Sequence, residues 1–273
     1  MAVKIIVSDL DGTLMAPDHL TVTAATKAAL IKAHDAGIRI AIATGRTLSL
    51  IKNVTDQIPF ADYVICSNGA CVYDRNAGEF IYTKLIPADE TAAAVTLLNS
   101  LPIYYNVYLE GRIYVQKGSE RFFVNPDMPQ DFIEKFVAST VQCDDLLENI
   151  KGKGAELIDV FAADPAVKDS VLQEFRSKGY EIASAAPGVN SATAAGVNKG
   201  AALLGMCERL GITPDEAMAF GDAENDAPML RIAGLSFAMA NGTESCKLAA
   251  KAIAPSNAED GVAQMINKYA LNI

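Results

Sequence analysis

The sequence predicts an α/β fold, a doubly wound parallel sheet interrupted by an inserted α+β domain. Three observations lead to it. Runs of β-branched and apolar residues at 3–7, 38–43 and 62–66 alternate with helix-like stretches, the rhythm of parallel strands joined by crossover helices. Each run ends in a polar cluster, where an open sheet collects its chemistry. Near Lys84 the rhythm gives way, as far as about Asn190, to paired strands that carry most of the aromatic residues, and it resumes from Asn198 onward. The expected division is a core over 1–83 and 191–273, with an insert over 84–190.

Val3–Val7 reads as a strand buried on both faces. Thr21 or Thr23 is placed to cap a helix over Ala24–His34, which Asp35-Ala36-Gly37 would end. Ile38–Ala43 is a second strand, Thr47–Gln57 a helix, and Asp62–Cys66 a third strand running into Ser67-Asn68-Gly69-Ala70. Ala70–Tyr73 and Glu79–Thr83 flank Asn76-Ala77-Gly78 as a hairpin. In the insert, a helix (Pro87–Ser100) precedes strands at Ile103–Leu109 and Ile113–Gln116 and a connection at Asn125–Gln130. Helical stretches at Gln130–Ser139 and Asp144–Asn149, a strand at Ala155–Phe161, a helix at Asp164–Lys178 and a strand at Tyr180–Ser184 follow. The α/β rhythm then returns with a helix at Lys199–Leu210 and a strand at Ala217–Phe220. A helix through Ile232, a strand at Leu235–Ala238, a helix at Thr243–Lys251, a strand at Ala252–Ala254 and a last helix from Glu259 complete it.

With 273 residues, 51% hydrophobic and 21% charged, the chain can bury one large core or two modest ones. A net charge of −10 argues against nucleic acid or an anionic membrane as the main partner. An anionic substrate would then need a local positive centre. Five cysteines, an odd number without C-x-x-C spacing, fit reduced thiols better than disulfides or a zinc site. No leader-like segment or membrane-length apolar run is present, so a cytoplasmic protein is expected. His19 and His34 have no partners at metal-ligand spacing.

The chemistry-bearing residues gather at the strand ends. Asp9 and Asp11 follow the first strand, and in an extended chain both carboxylates point to one side while Leu10 turns to the core. Gly12 permits a sharp turn that Thr13 can tie. One carboxylate can attack while its neighbour handles a proton; taken alone, the same residues also make a plain polar turn. Thr44-Gly45-Arg46 ends the second strand, Lys199-Gly200 opens a helix, and Gly221-Asp222 leads to Asn225-Asp226. Each of these by itself also suits an ordinary turn or capped helix start. Arg46 reads equally as a substrate-facing residue and as a surface helix residue. Neither a Walker A pattern nor G-x-G-x-x-G occurs.

In this order, Asp9-Leu10-Asp11-Gly12-Thr13, Thr44-Gly45-Arg46, Lys199-Gly200 and Gly221-Asp222-x-x-Asn225-Asp226 resemble the four motifs of the haloacid dehalogenase superfamily. The insert lies where the Cof-type branch (subclass IIB, with its sugar-phosphate phosphatases) carries a C2 cap. Ser67-Asn68-Gly69-Ala70 and Asp260-Gly261-Val262-Ala263 resemble that branch as well. The resemblance implies a Rossmann-like core and a cap that closes over the substrate. It makes Asp9 the nucleophile of an aspartyl-phosphate intermediate and Asp11 the general acid and base. Thr44 and Lys199 would engage the phosphoryl group, with Gly45, Arg46, Asn68 and Asn225 beside them in substrate binding.

Asp9, Asp11, Asp222 and Asp226 would then crowd four carboxylates into one pocket. Two like charges about 4 Å apart repel by about 4 kcal/mol at an effective dielectric of 20. Such a pocket needs a cation, and Mg2+ suits oxygen ligands beside a phosphate. On the family pattern its ligands are the Asp9 side chain, the Asp11 main-chain carbonyl and Asp222, supported by Asp226 and Asn225. Neighbouring carboxylates would lift the pKa of Asp11 above the ordinary value of about 3.9.

The implied activity is Mg2+-dependent hydrolysis of small phosphorylated metabolites, sugar phosphates first. A phosphotransferase of the phosphomannomutase type and a phosphometabolite-binding protein without turnover are the alternatives. Two departures stand out. Ser191-Ala192-Thr193-Ala194-Ala195 occupies the place of a Glu-bearing strand common in Cof-type sequences, and Met239-Ala240-Asn241-Gly242 differs from the usual Met-Gly-Asn. The catalytic set is intact.

Overall fold

The computed structural model describes residues 2–123, 134, 136–161, 164–186 and 188–273. They form two compact units, Met1–Thr83 with Asn198–Ile273, and Lys84–Val197. In chain order the strands are β1 (Ile5–Ser8), β2 (Arg39–Ala43), β3 (Tyr63–Cys66), β4 (Cys71–Asp74) and β5 (Glu79–Thr83). Those of the second unit are β6 (Tyr104–Leu109), β7 (Arg112–Gln116), β8 (Val141–Cys143), β9 (Leu157–Phe161), β10 (Glu181–Ala186) and β11 (Val189–Thr193). The first unit resumes with β12 (Ala217–Gly221), β13 (Leu235–Met239) and β14 (Ala252–Ala254). The helices are α1 (Ala24–Asp35), α2 (Lys52–Thr55), α3 (Ala88–Asn99), α4 (Leu146–Asn149), α5 (Pro165–Ser177), α6 (Lys199–Leu210), α7 (Ala227–Ile232), α8 (Glu244–Ala249) and α9 (Gly261–Met265).

The first unit carries one sheet in the order β14-β13-β12-β1-β2-β3-β4-β5, parallel except for β4 and β5. The chain leaves β1 toward β2 on one side and returns to its other side with β12, so the strand order reverses at β1. That reversal opens a crevice at the carboxyl ends. Ile5 and Val7 pack with Ala202, Leu203 and Met206 of α6 and Met229 and Leu230 of α7. Ile6 and Ser8 point the other way and are also buried, which is why β1 shows no polar alternation. The Thr23 side chain caps α1 through the Thr26 N–H, and Asn198 caps α6 through the Ala201 N–H at 2.8 Å.

Thr47–Gln57 is not one helix. A 3₁₀ turn at Leu48–Leu50 precedes α2, and the break falls at Ile51 (φ −111°, ψ 1°). Ile51, Val54 and Ile58 are all drawn into the core, and the chain leaves helical geometry at Ile51 to place them.

In the second unit the strand order is β10-β11-β9-β6-β7-β8. Its boundary lies at 197 rather than 190, because β11 pairs with both β9 and β10. Val189-Asn190-Ser191-Ala192-Thr193 is small and polar, so no apolar run marks it as a strand; β8 is missed because it is three residues long. Asn125–Gln130 and half of Gln130–Ser139 lie outside the described residues; of the rest, residues 134 and 136–138 are helical. All five cysteines are free and buried.

A buried carboxylate sits inside this second sheet. Asp159 is 6% exposed and accepts hydrogen bonds from the Tyr108 hydroxyl (2.6 Å) and the Ser191 hydroxyl. Burial raises its pKa from 3.8 to about 6, with the two hydrogen bonds holding it down. Between those values the folded chain binds more protons than the unfolded one, so stability falls as pH rises from about 4 to 6. The rise corresponds to roughly 3 kcal/mol. Urea denaturation of Asp159→Asn at pH 4, 5, 6 and 7 is expected to lack this fall; other groups contribute equally to both proteins.

Candidate active site

The carboxyl ends of β12, β1 and β2 lie side by side, and each delivers one polar residue. Asp9 follows β1 and donates its N–H to Phe220 of β12 at 3.0 Å. Thr44 follows β2, and Asp222 follows β12. Beyond Asp9 the chain curls: Leu14 N–H meets the Asp9 carbonyl at 3.2 Å and Met15 N–H meets that of Leu10 at 3.0 Å. Gly12 has φ 82°, and a Cβ there would lie 2.4 Å from an Asp222 carboxylate oxygen. Leu10 is buried as expected; Asp9 (φ −61°, ψ 164°) and Asp11 (φ −77°, ψ 116°) keep extended dihedrals, and the chain turns over Gly12. Thr13 donates across to Asp222 Oδ1 at 2.7 Å instead of tying its own turn.

Lys199, the first residue of α6, is fully buried. Its ammonium donates to Asp9 Oδ1 at 2.6 Å and to Asp226 Oδ1 at 2.5 Å. Burial pulls its pKa down, but Asp226 and then Asp9 outweigh that and hold it above the ordinary lysine value. Asp226 Oδ2 accepts the N–H groups of Asp222 and Ala223, each at 3.0 Å, so both of its oxygens are engaged. Asp9 is pushed well above the ordinary aspartate range by burial and by the Asp226 and Asp222 charges, against the pull of Lys199. Asp222 is raised by burial and Asp226, opposed by the Thr13 hydrogen bond.

Asp9, Asp222 and Asp226 each offer an oxygen, and these oxygens lie within 4.8 Å of one another. Three carboxylates face one lysine in a largely buried, all-oxygen donor set. That composition fits a hard divalent cation.

Asp11 stands apart from this group, so the expected crowd of four carboxylates is three. Arg46 takes both Asp11 oxygens, Nε to Oδ2 at 3.0 Å and Nη2 to Oδ1 at 2.5 Å, and His19 Nδ1 lies 3.5 Å from Oδ1. The expected carboxylate surroundings of Asp11 are replaced by a guanidinium and an imidazole. Arg46, which follows β2, is the reason: its guanidinium holds both Asp11 oxygens.

Thr44 is buried, and its hydroxyl oxygen accepts the Arg46 N–H at 3.1 Å, which leaves its proton to donate. Asn68 Oδ1 accepts from Asn225 at 3.1 Å, and Gly45 sits so close that a Cβ would lie 2.9 Å from that same oxygen. Ser67, Asn68 and Gly69 all have positive φ. At Gly69 (φ 100°) a Cβ would meet the Asn198 carbonyl oxygen at 2.4 Å, so this turn packs backbone against backbone beside the start of α6.

Two residues outside the motifs also shape the site. Asn241 donates to the Gly12 carbonyl at 2.8 Å, and Asn257 donates to that of Met15 at 2.9 Å while its N–H reaches Asn241. Asn241 lies in a segment singled out by its departure from the family pattern; nothing in the sequence marks Asn257.

Removing one partner from a buried charge pair leaves the others unbalanced. In chelator, Lys199→Met is expected to lose about 3–5 kcal/mol of stability by urea denaturation. Adding Asp226→Asn to it should recover part of that loss.

The family model described as haloacid dehalogenase-like hydrolase matches residues 6–266. A 5-amino-6-(5-phospho-D-ribitylamino)uracil phosphatase of Bacillus subtilis is 29% identical over 270 residues, covering 98% of this chain and 96% of the relative. A pyridoxal phosphate phosphatase of Escherichia coli is 25% identical over 278 residues, covering 98% and 99%. The solved subclass IIB sugar phosphatase BT4131 superposes with a TM-score of 0.79 at 26% identity, covering 98% and 99%. The chain belongs to the haloacid dehalogenase-like hydrolase family.

Proposed function

We propose that the protein is a Mg2+-dependent phosphatase of small phosphorylated metabolites, sugar phosphates foremost, acting through an aspartyl-phosphate on Asp9. The observation that carries the reading is the buried Lys199 held between Asp9 and Asp226, with Asp222 completing an oxygen cluster. Asp9 and Asp222, with the Asp11 carbonyl, would hold the cation, while Asp226, both oxygens engaged, anchors Lys199 and the loop of Asp222. When bound, Mg2+ supplies the positive charge that lets an anionic carboxylate approach an anionic phosphate.

The carboxylate of Asp9 attacks phosphorus, and the bond to the leaving oxygen breaks as Asp11 gives that oxygen a proton. Water, deprotonated by Asp11, then releases phosphate and restores Asp9. A carboxylate engaged through both oxygens by Arg46 only accepts, so the pair opens for Asp11 to carry a proton. Lys199 and the Thr44 hydroxyl neutralise and orient the phosphoryl oxygens, beside Gly45, Asn68 and Asn225.

The relatives named above act on a phospho-ribitylaminouracil and on pyridoxal phosphate, and the solved neighbour is a sugar phosphatase. What these have in common is a phosphate on a small polar metabolite. We assign the second unit the role of a C2-type cap that selects the leaving group. Among the described residues no helix is long and apolar enough to cross a membrane; we place the enzyme in the cytoplasm.

Phosphate release from a panel of phosphorylated metabolites is expected to require Mg2+, to stop with chelator and to be lost in Asp9→Asn. Full turnover in Asp9→Asn contradicts the assignment. Oxygen from isotope-labelled water is expected in the released phosphate; its absence would indicate transfer to another hydroxyl.

A further inference from the structure

The segment Met239-Ala240-Asn241-Gly242, where β13 ends, departs from the family pattern, and the proposed chemistry gives it no part. It grips two loops of the site at once. Thr243, next in the chain, donates its N–H to the Asp222 carbonyl at 2.8 Å, and a Cβ on Gly242 would lie 2.8 Å from that same oxygen. The Asn241 amide donates to the Gly12 carbonyl at 2.8 Å. That amide is itself oriented, because the main-chain N–H of Asn257 donates to Asn241 Oδ1 at 3.1 Å. Asn257 is placed in turn by a capped turn, in which Glu259 accepts the Ser256 N–H at 3.1 Å and the Ser256 hydroxyl at 2.6 Å.

Gly12 is the residue that needs such a grip. Glycine takes either sign of φ at little cost, so its φ of 82° is not imposed by its own chain. The peptide between Asp11 and Gly12 is planar, and the dihedrals on either side of it set the direction of the Asp11 carbonyl. Two contacts hold the next peptide in place: Asn241 on the Gly12 carbonyl, and the Thr13 hydroxyl on Asp222 Oδ1 at 2.7 Å. Asn241 is exposed, and an exposed hydrogen bond adds little to stability. What this one fixes is a direction.

We propose that Asn241 is a positioning residue of the cation site. By holding the Gly12 carbonyl it aims the Asp11 carbonyl at the divalent ion, and so raises the affinity for Mg2+ before any substrate arrives. The inference rests on the reading above in taking Asp9, Asp222 and the Asp11 carbonyl as the ligands.

The test uses the full chain freed of metal with chelator, and the variants Asn241→Ala and Gln57→Ala. Gln57 holds the main chain of the connection into α1, its amide donating to the Leu20 carbonyl at 2.8 Å and accepting the Val22 N–H at 3.0 Å. Mg2+ alone is titrated, and the rise of melting temperature with its concentration gives the dissociation constant. Without Mg2+ both variants are expected to melt within about 4 °C of the wild type. Asn241→Ala is expected to bind Mg2+ more weakly by about tenfold or more. Gln57→Ala should bind it as tightly as the wild type.

Equal dissociation constants in Asn241→Ala and the wild type overturn the inference. So does an equal weakening in Gln57→Ala, which would make the effect one of loop order instead of aim. If Asn241→Ala does not fold, Asn241→Asp, the same shape without the donor, decides. A wild type that binds no Mg2+ overturns the metal centre and the inference with it. Mg2+ binding without phosphate release from any compound fails the phosphatase reading alone, and the dissociation constants still decide.

Discussion

The site depends on one buried ammonium. Lys199 has no access to water, and such a charge persists only where opposite charges and hydrogen bonds replace its hydration. It finds them in Asp9 and Asp226. Through those two contacts it ties the end of β1 to the start of α6 and to the loop after β12. Asp226 extends the tie by accepting two N–H groups of its own loop, which sets Asp222. The positions of the acidic residues therefore follow from satisfying a single cation. Neither distance nor direction is left to flexible side chains at the surface.

That cation does not balance the site. Three carboxylates share it, and burial raises the pKa of both Asp9 and Asp222. The excess negative charge is the physical reason the cluster suits a divalent ion, and it is also what an incoming phosphate would otherwise meet. Asp11 pairs with Arg46 beside the cluster, and its charge adds to the rise of Asp222. Two neighbouring aspartates are thereby placed in opposite electrostatic surroundings, one among carboxylates with a lysine, the other beside a guanidinium. Such a separation gives two chemically identical groups two roles.

Much of this was legible in the sequence. The buried runs at β1, β2 and β3, a threonine cap of α1 (Thr21 or Thr23, and Thr23 in the structure), the hairpin of β4 and β5, and the full span of α6 follow from local pattern and capping chemistry. The convergence of Asp9, Lys199, Asp222 and Asp226 followed from motif order and the rule that strand ends collect chemistry. What failed shared a cause: the outcome was set by tertiary contact. The direction of Asp11 depends on how Gly12 packs against Asp222 and on where Arg46 lies. Strand β11 carries no apolar run, since its Ser191 points to a buried aspartate instead of to a hydrophobic layer. Asn241 and Asn257 act on backbone carbonyls far away in sequence, and a lone asparagine carries no pattern.

In the proposed reaction Asp9 carries the phosphoryl group. Borohydride reduces an acyl phosphate to an alcohol, so quenching turnover with borohydride and sequencing the peptides by mass spectrometry reads the site directly. Homoserine is expected at position 9, formed only when substrate and Mg2+ are both present. Continued phosphate release with no reduced residue, or with reduction at a different aspartate, would contradict it.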